Sequence, residues 1–144
     1  MLQNEAKLKR AILHSDEHVA TAAVRYFAES FSPDPTLMPT VINAVETFGR
    51  FGAFRLLRAA ERLAQTPDTV EWLVRELYRE FDLDELELDN YRFAITLLLQ
   101  HADWSLVTPQ RDRIVEATNF PQQFRAEFEE RLEMHTWGAE RLWE

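Results

Sequence analysis

Apolar residues in this chain recur three and four positions apart, and short turn-forming stretches interrupt them. The first segment, residues 5–14, has Ala6, Leu8, Ile12 and Leu13 on one side and Lys7, Lys9 and Arg10 facing water. Residues 16–31 come next, with two faces to bury. Val19, Ala22, Ala23, Tyr26 and Ser30 trace one, and Ala20, Val24, Phe27 and Phe31 trace the other. A helix with two such flanks needs two neighbours, and its paired alanines let them come close. Ser15 is placed to cap this helix, and Asp16 and Glu17 suit its positive end.

Ser32-Pro33-Asp34-Pro35 forms a turn no helix can cross. Thr36 to Phe48 then lines up Leu37, Met38, Val41, Ile42, Val45 and Phe48, with Pro39 in the first turn and Gly49 as the stop. From Gly52 onward, Ala53, Leu56, Leu57, Ala60, Leu63 and Ala64 make the next stripe. Thr66-Pro67-Asp68 is a start signal for a helix reaching about Phe81. Asp82 to Asp89 alternates acidic and apolar residues, and reads as an acidic loop. Asp89 or Asn90 then caps a helix to about Ala102, apolar almost all round and so expected to be the most buried. Thr108-Pro109 repeats the start signal for a helix ending near Asn119. Phe120-Pro121 opens a last helix with Phe124, Phe128, Leu132 and His135 on one side.

Second helices of successive pairs begin near residues 16, 52, 89 and 121, in steps of 36, 37 and 32. Small residues align across them, Ala22-Ala23 over Ala59-Ala60 and these over Ala94-Ile95. That period, with an acid, a valine and then paired alanines, resembles HEAT repeats of the ARM type, most closely over residues 5–81. The arginine such repeats often carry directly after the valine is Ala20 here. The resemblance implies an all-α, right-handed α-solenoid: stacked antiparallel helix pairs, 7–8 helices, in one domain spanning 1–144. It also implies a non-enzymatic scaffold that binds a protein partner, or the remainder of a longer parent protein.

Three glycines and no cysteine in 144 residues suit a helical chain, and exclude disulfides, thiolate catalysis and sulfur-ligated zinc. No apolar run approaches membrane-spanning length and no leader of signal-peptide type opens the chain, so the expected compartment is cytoplasmic, with no membrane partner. The net charge of −9 lies mostly beyond residue 50. Such a body repels nucleic acid and favours protein partners.

Four places could carry chemistry. His14-Ser15-Asp16-Glu17-His18 matches the HxxEH pattern of inverzincins, in which His14 and His18 would bind zinc and Glu17 act as base. That chemistry requires one unbroken helix, which a cap at Ser15 denies, so a metal-dependent hydrolase is the alternative reading. The acidic stretch lacks the glycine of a calcium loop, because Leu86 and Glu87 occupy its fifth and sixth positions. Arg55, Arg58 and Arg62, with Arg50 nearby, form a basic ridge able to hold an anion or phosphopeptide, a nucleic-acid phosphate or a partner's surface. Finally, Leu142 and Trp143 follow a stop at Gly138, and are expected to dock on the last helices or on a second copy. No cofactor and no catalytic residue is expected from the remaining motifs.

Overall fold

A computed structural model of the chain describes residues 2–117 and 125–134. Every element in it is helical. In chain order they are α1 (Leu2–Ala11), α2 (Glu17–Glu29), α3 (Leu37–Phe48), α4 (Ala53–Ala59), α5 (Pro67–Tyr78), α6 (Glu85–His101), α7 (Trp104–Val107), a 3-10 turn (Thr108–Gln110) and α8 (Arg111–Glu116). A further helix, α9, covers residues 125–134. The start expected at Phe120-Pro121, with Phe124 and His135, and the tail holding Leu142 and Trp143, lie outside the described residues. No described helix is long and apolar enough to cross a membrane.

One apolar cluster runs from Ile12 to Leu132. α2 packs on α1 and α4, α4 on α6, α3 on α4 and α5, and α5 on α6, α7 and α8. The central helix is α6, with Tyr91, Ala94, Ile95, Leu98 and Leu99 all closed off from water. Its stripe of apolar residues on several sides meets α4 on one flank and α5 on another.

Local chemistry sets most boundaries, and several differ from expectation. Asp16, not Ser15, caps α2, its carboxylate accepting from His18 N at 2.9 Å. An ionised acceptor binds the orphan amide more strongly than a hydroxyl does. α2 also buries one face rather than two. Ala20, Ala23, Val24, Phe27 and Ala28 are buried, while Val19, Ala22, Tyr26 and Ser30 face out. Its main neighbours are α1 and α4, and of the two alanines expected at close helix contacts Ala23 is buried while Ala22 is exposed. α4 is only 7 residues long, closing at Ala60.

The acidic stretch is a loop only in its first half. Asp84 caps α6, accepting from Glu87 N at 2.9 Å, so Glu85 and Glu87 sit in the first turn where the helix dipole favours negative charge. α5 stops at Tyr78 instead of Phe81, because Arg79 turns extended. At Thr108-Pro109 a 3-10 turn begins rather than an α-helix. Asp103 has already capped α7, and the pair falls inside a run continuing through the 3-10 turn into α8.

Candidate functional site

Arg50 and its three companions part company in the folded chain. Gly49 (φ 91°) ends α3 and Gly52 (φ 72°) opens α4, and between these two left-handed positions the chain reverses and turns Arg50 inward. There its Nε donates to Glu76 Oε1 at 3.0 Å, and its other nitrogens reach Glu46 at 2.7 and 3.3 Å. Arg50 Cζ also lies 5.1 Å from the centre of the Phe81 ring.

Glu76, on α5, is only 1 % exposed. The buried Tyr91 hydroxyl of α6 donates to the same Glu76 oxygen, and Arg79 approaches its other oxygen at 3.3 Å. Glu46 accepts from the Trp72 indole at 2.9 Å. Burial opposes the Arg50 charge, yet the hydrogen bonds to Glu46 and Glu76 outweigh it and hold the guanidinium more firmly protonated than usual. Burial, then the Glu76 charge, pushes the Tyr91 hydroxyl well above its ordinary range. The Trp72 hydrogen bond, then Arg50, holds the Glu46 carboxyl below the usual carboxylate range. This constellation joins α3, α5, α6 and the turns between them. Its groups satisfy one another, which makes it a fastening rather than a reactive centre.

The other three arginines stay on the surface of α4 and just beyond its end. Each lies over an aromatic ring: Arg55 over Phe54 at 5.0 Å, Arg58 over Phe93 at 5.7 Å, and Arg62 over Phe31 at 5.7 Å. Arg55 pairs with Glu17 of α2 at 3.2 Å. No carboxylate among the described residues comes within 4 Å of Arg58 or Arg62. Arg25 and His18 of α2 join Arg55 and Arg58 around an open recess of about 530 Å³ between α2 and α4. Its carboxylates are Glu17 and Glu61, and Glu61 also faces His101 at 3.4 Å.

Phe31 completes this face in an unexpected way. The chain leaves α2 through a Schellman turn, with Phe31 N donating to Ala28 O and Ser32 N to Phe27 O, both at 3.1 Å. That turn puts its central residue in the left-handed region, usually glycine's place. Here it is Phe31 at φ 52°, with 70 % of its surface exposed.

The HxxEH residues do not share a helix. α1 ends at Ala11 and α2 begins at Glu17, leaving His14 in the link, where its Nδ1 accepts from Asp16 N at 2.9 Å. His18 is in the first turn of α2 and Glu17 is engaged by Arg55. Among the described residues no three histidine or carboxylate side chains gather to hold a metal ion. No family model, curated protein or solved structure matches this chain.

Sequence reading missed Glu76 and the polar role of Tyr91, and it placed Phe31 on a buried face of α2 where the structure leaves it exposed. Glu76 did leave a signal, since it falls on the α5 stripe formed by Leu73, Val74 and Leu77. Phe31 left none, because a left-handed phenylalanine has no sequence mark.

Proposed function

We propose that this chain is a non-enzymatic stack of antiparallel helix pairs, similar to HEAT repeats, that holds an acidic segment of a protein partner on its α2–α4 face. The order of contacts supports the stacking: α2, α4 and α6 meet in succession, and α3 and α5 meet beside them. The binding reading is carried by one observation, the exposed Phe31 held in a strained backbone beneath Arg62. A bulky residue there costs about 1–3 kcal/mol, which glycine would avoid. Strain of that size persists where the side chain is used, and an aromatic ring under a free guanidinium is a common anchor at interfaces. Arg25, Arg58 and Arg62 supply positive charge on an otherwise acidic molecule, matching a carboxylate-rich partner rather than a basic one.

The test uses a fluorescein-labelled peptide rich in aspartate and glutamate, followed by anisotropy. Wild-type protein is expected to bind it and the double variant Arg58→Glu, Arg62→Glu to lose binding by tenfold or more. Phe31→Gly is expected to weaken binding while raising the unfolding temperature, since it removes both the anchor and the strain. Equal binding by the double variant overturns the reading, as does stronger retention of duplex DNA than of the peptide.

A further inference from the structure

A second surface lies on the other side of the Arg55–Glu17 pair. The turn that buries Arg50 leaves its two flanking aromatics in water: Phe48 is 52 % exposed and Phe51 75 %. They wall a groove of about 200 Å³ whose floor is Ile12, Ala20, Val45 and Leu56. Large aromatics beside an open apolar floor mark a place where another molecule's apolar side chains can seat. The groove is framed by the α1–α2 link, the end of α3 and the start of α4. No strand edge borders it among the described residues, so an extended peptide would find no backbone to pair with.

Charge around the rim identifies the occupant. Glu17 lines one side, with the exposed Asp16 next to it in the chain. On the other, Glu87 Oε2 accepts from Gly52 N at 3.0 Å, which brings the acidic first turn of α6, with the exposed Glu85 and Leu86, against this turn. Arg55 and Glu17 neutralise one another and Arg50 is held by Glu46 and Glu76, which leaves Asp16, Glu85 and Glu87 without a cation among the described residues. A second copy of this chain would bring the same acids face to face across a twofold axis. A partner with lysines or arginines around its apolar anchors meets no such repulsion.

We propose that this groove receives a basic amphipathic helix of another protein, with large apolar residues spaced three and four apart seated between Phe48 and Phe51. Helix-in-groove recognition supplies anchors at that spacing, and flanking lysines or arginines face the acidic rim. The site is separate from the arginine face and stands whether or not that face binds an acidic partner.

The experiment titrates full-length protein against a labelled fourteen-residue peptide, with leucines three and four apart and lysines elsewhere. Saturable binding is expected, weakened tenfold or more by Phe48→Ser with Phe51→Ser. Both side chains are exposed, so the fold tolerates the change, and circular dichroism verifies it. Glu87→Gln keeps the acceptor for Gly52 N while removing a charge, and is expected to weaken binding several-fold at low salt. Arg58→Glu with Arg62→Glu is expected to bind no more weakly than wild type does, since it only adds negative charge, which keeps the two faces distinguishable. Absence of binding overturns the proposal, and so does equal binding of a peptide with glutamates in place of the lysines. An unchanged affinity in the Phe48, Phe51 variant does the same. So does a wild-type dimer in sedimentation that this variant abolishes, which would give the groove to a second copy.

Discussion

Glu76 sits where its helix otherwise carries Leu73, Val74 and Leu77, so it is buried by the packing of its neighbours rather than by its own preference. A buried carboxylate persists when it is paired and hydrogen-bonded, and Arg50 and Tyr91 do both. Removing it strands their polar groups. Glu76→Ala is therefore expected to lose about 3–5 kcal/mol in chemical denaturation, the usual result of breaking a buried pair. Replacing Glu76 and Arg50 together by methionine should cost less than the sum of the two single changes, since neither charge is left alone. A strictly additive pair would show that the two groups do not act together. Leu98→Ala, at a site fully closed from water, is expected to cost about 2–5 kcal/mol through the cavity it leaves. The apolar core was legible residue by residue because burial follows the helical period. The fastening at Glu76 was not, because its partners come from 26 and 15 positions away and no local pattern pairs them.

At the scale of the element, caps decide where helices begin, and their legibility depends on how local the deciding bonds are. Thr66-Pro67 reads correctly because everything needed lies within three residues. Thr66 Oγ1 accepts from Thr69 N at 3.3 Å, and Thr69 Oγ1 accepts from Thr66 N at 2.8 Å. Thr66→Ala is expected to lose about 0.5–2 kcal/mol, seen as a lowered denaturation midpoint, and Thr66→Ser to restore most of it. Thr108-Pro109 looks alike but carries Arg111 three residues on, a side chain with no acceptor to complete the box. Its hydroxyl instead donates backward to Trp104 O at 2.7 Å, continuing a helix already under way. The acidic stretch misleads for a different reason. Asp82, Asp84 and Asp89 are all competent caps, and it is Asp84 whose carboxylate accepts from Glu87 N, so α6 starts earlier. The two-sided α2 is a related error. Small alanines fit either a contact or a solvent face, so their spacing alone could not tell Ala22 from Ala23. Ala23→Leu remains a sharp test of the packed side, expected to cost about 1–3 kcal/mol by overpacking.

For the whole molecule, charge is arranged in regions: an acidic body, a row of exposed arginines on α4, and carboxylates held by specific donors. Those held carboxylates link folding to pH. Trp72 and Arg50 lower Glu46, Arg113 lowers Glu71, and Thr36 lowers Asp34. A carboxyl lowered in the folded state contributes stability that is fully present above its ordinary value, 4.5 for the glutamates and 3.8 for Asp34. That contribution is lost as pH falls through the lowered folded values. A second effect opposes this at milder acidity. Moving from neutrality toward the isoelectric point, near 5.0, reduces the repulsion among the charges that make up −9. The two effects act in different windows, so they do not cancel. Repulsion eases first, above the ordinary carboxyl values, and the loss of held carboxylates follows below them. The unfolding temperature is therefore expected to hold or rise slightly from pH 7 to about 5 and to fall steeply below about 4.5. Glu46→Gln, which keeps an oxygen for the Trp72 indole but cannot titrate, should start lower at neutral pH and show a shallower acid limb. Differential scanning fluorimetry at low and high salt resolves both parts, because salt removes the rise while leaving most of the fall. An acid limb identical in wild type and Glu46→Gln would mean that Glu46 carries none of the linkage, leaving Glu71 and Asp34 to account for it.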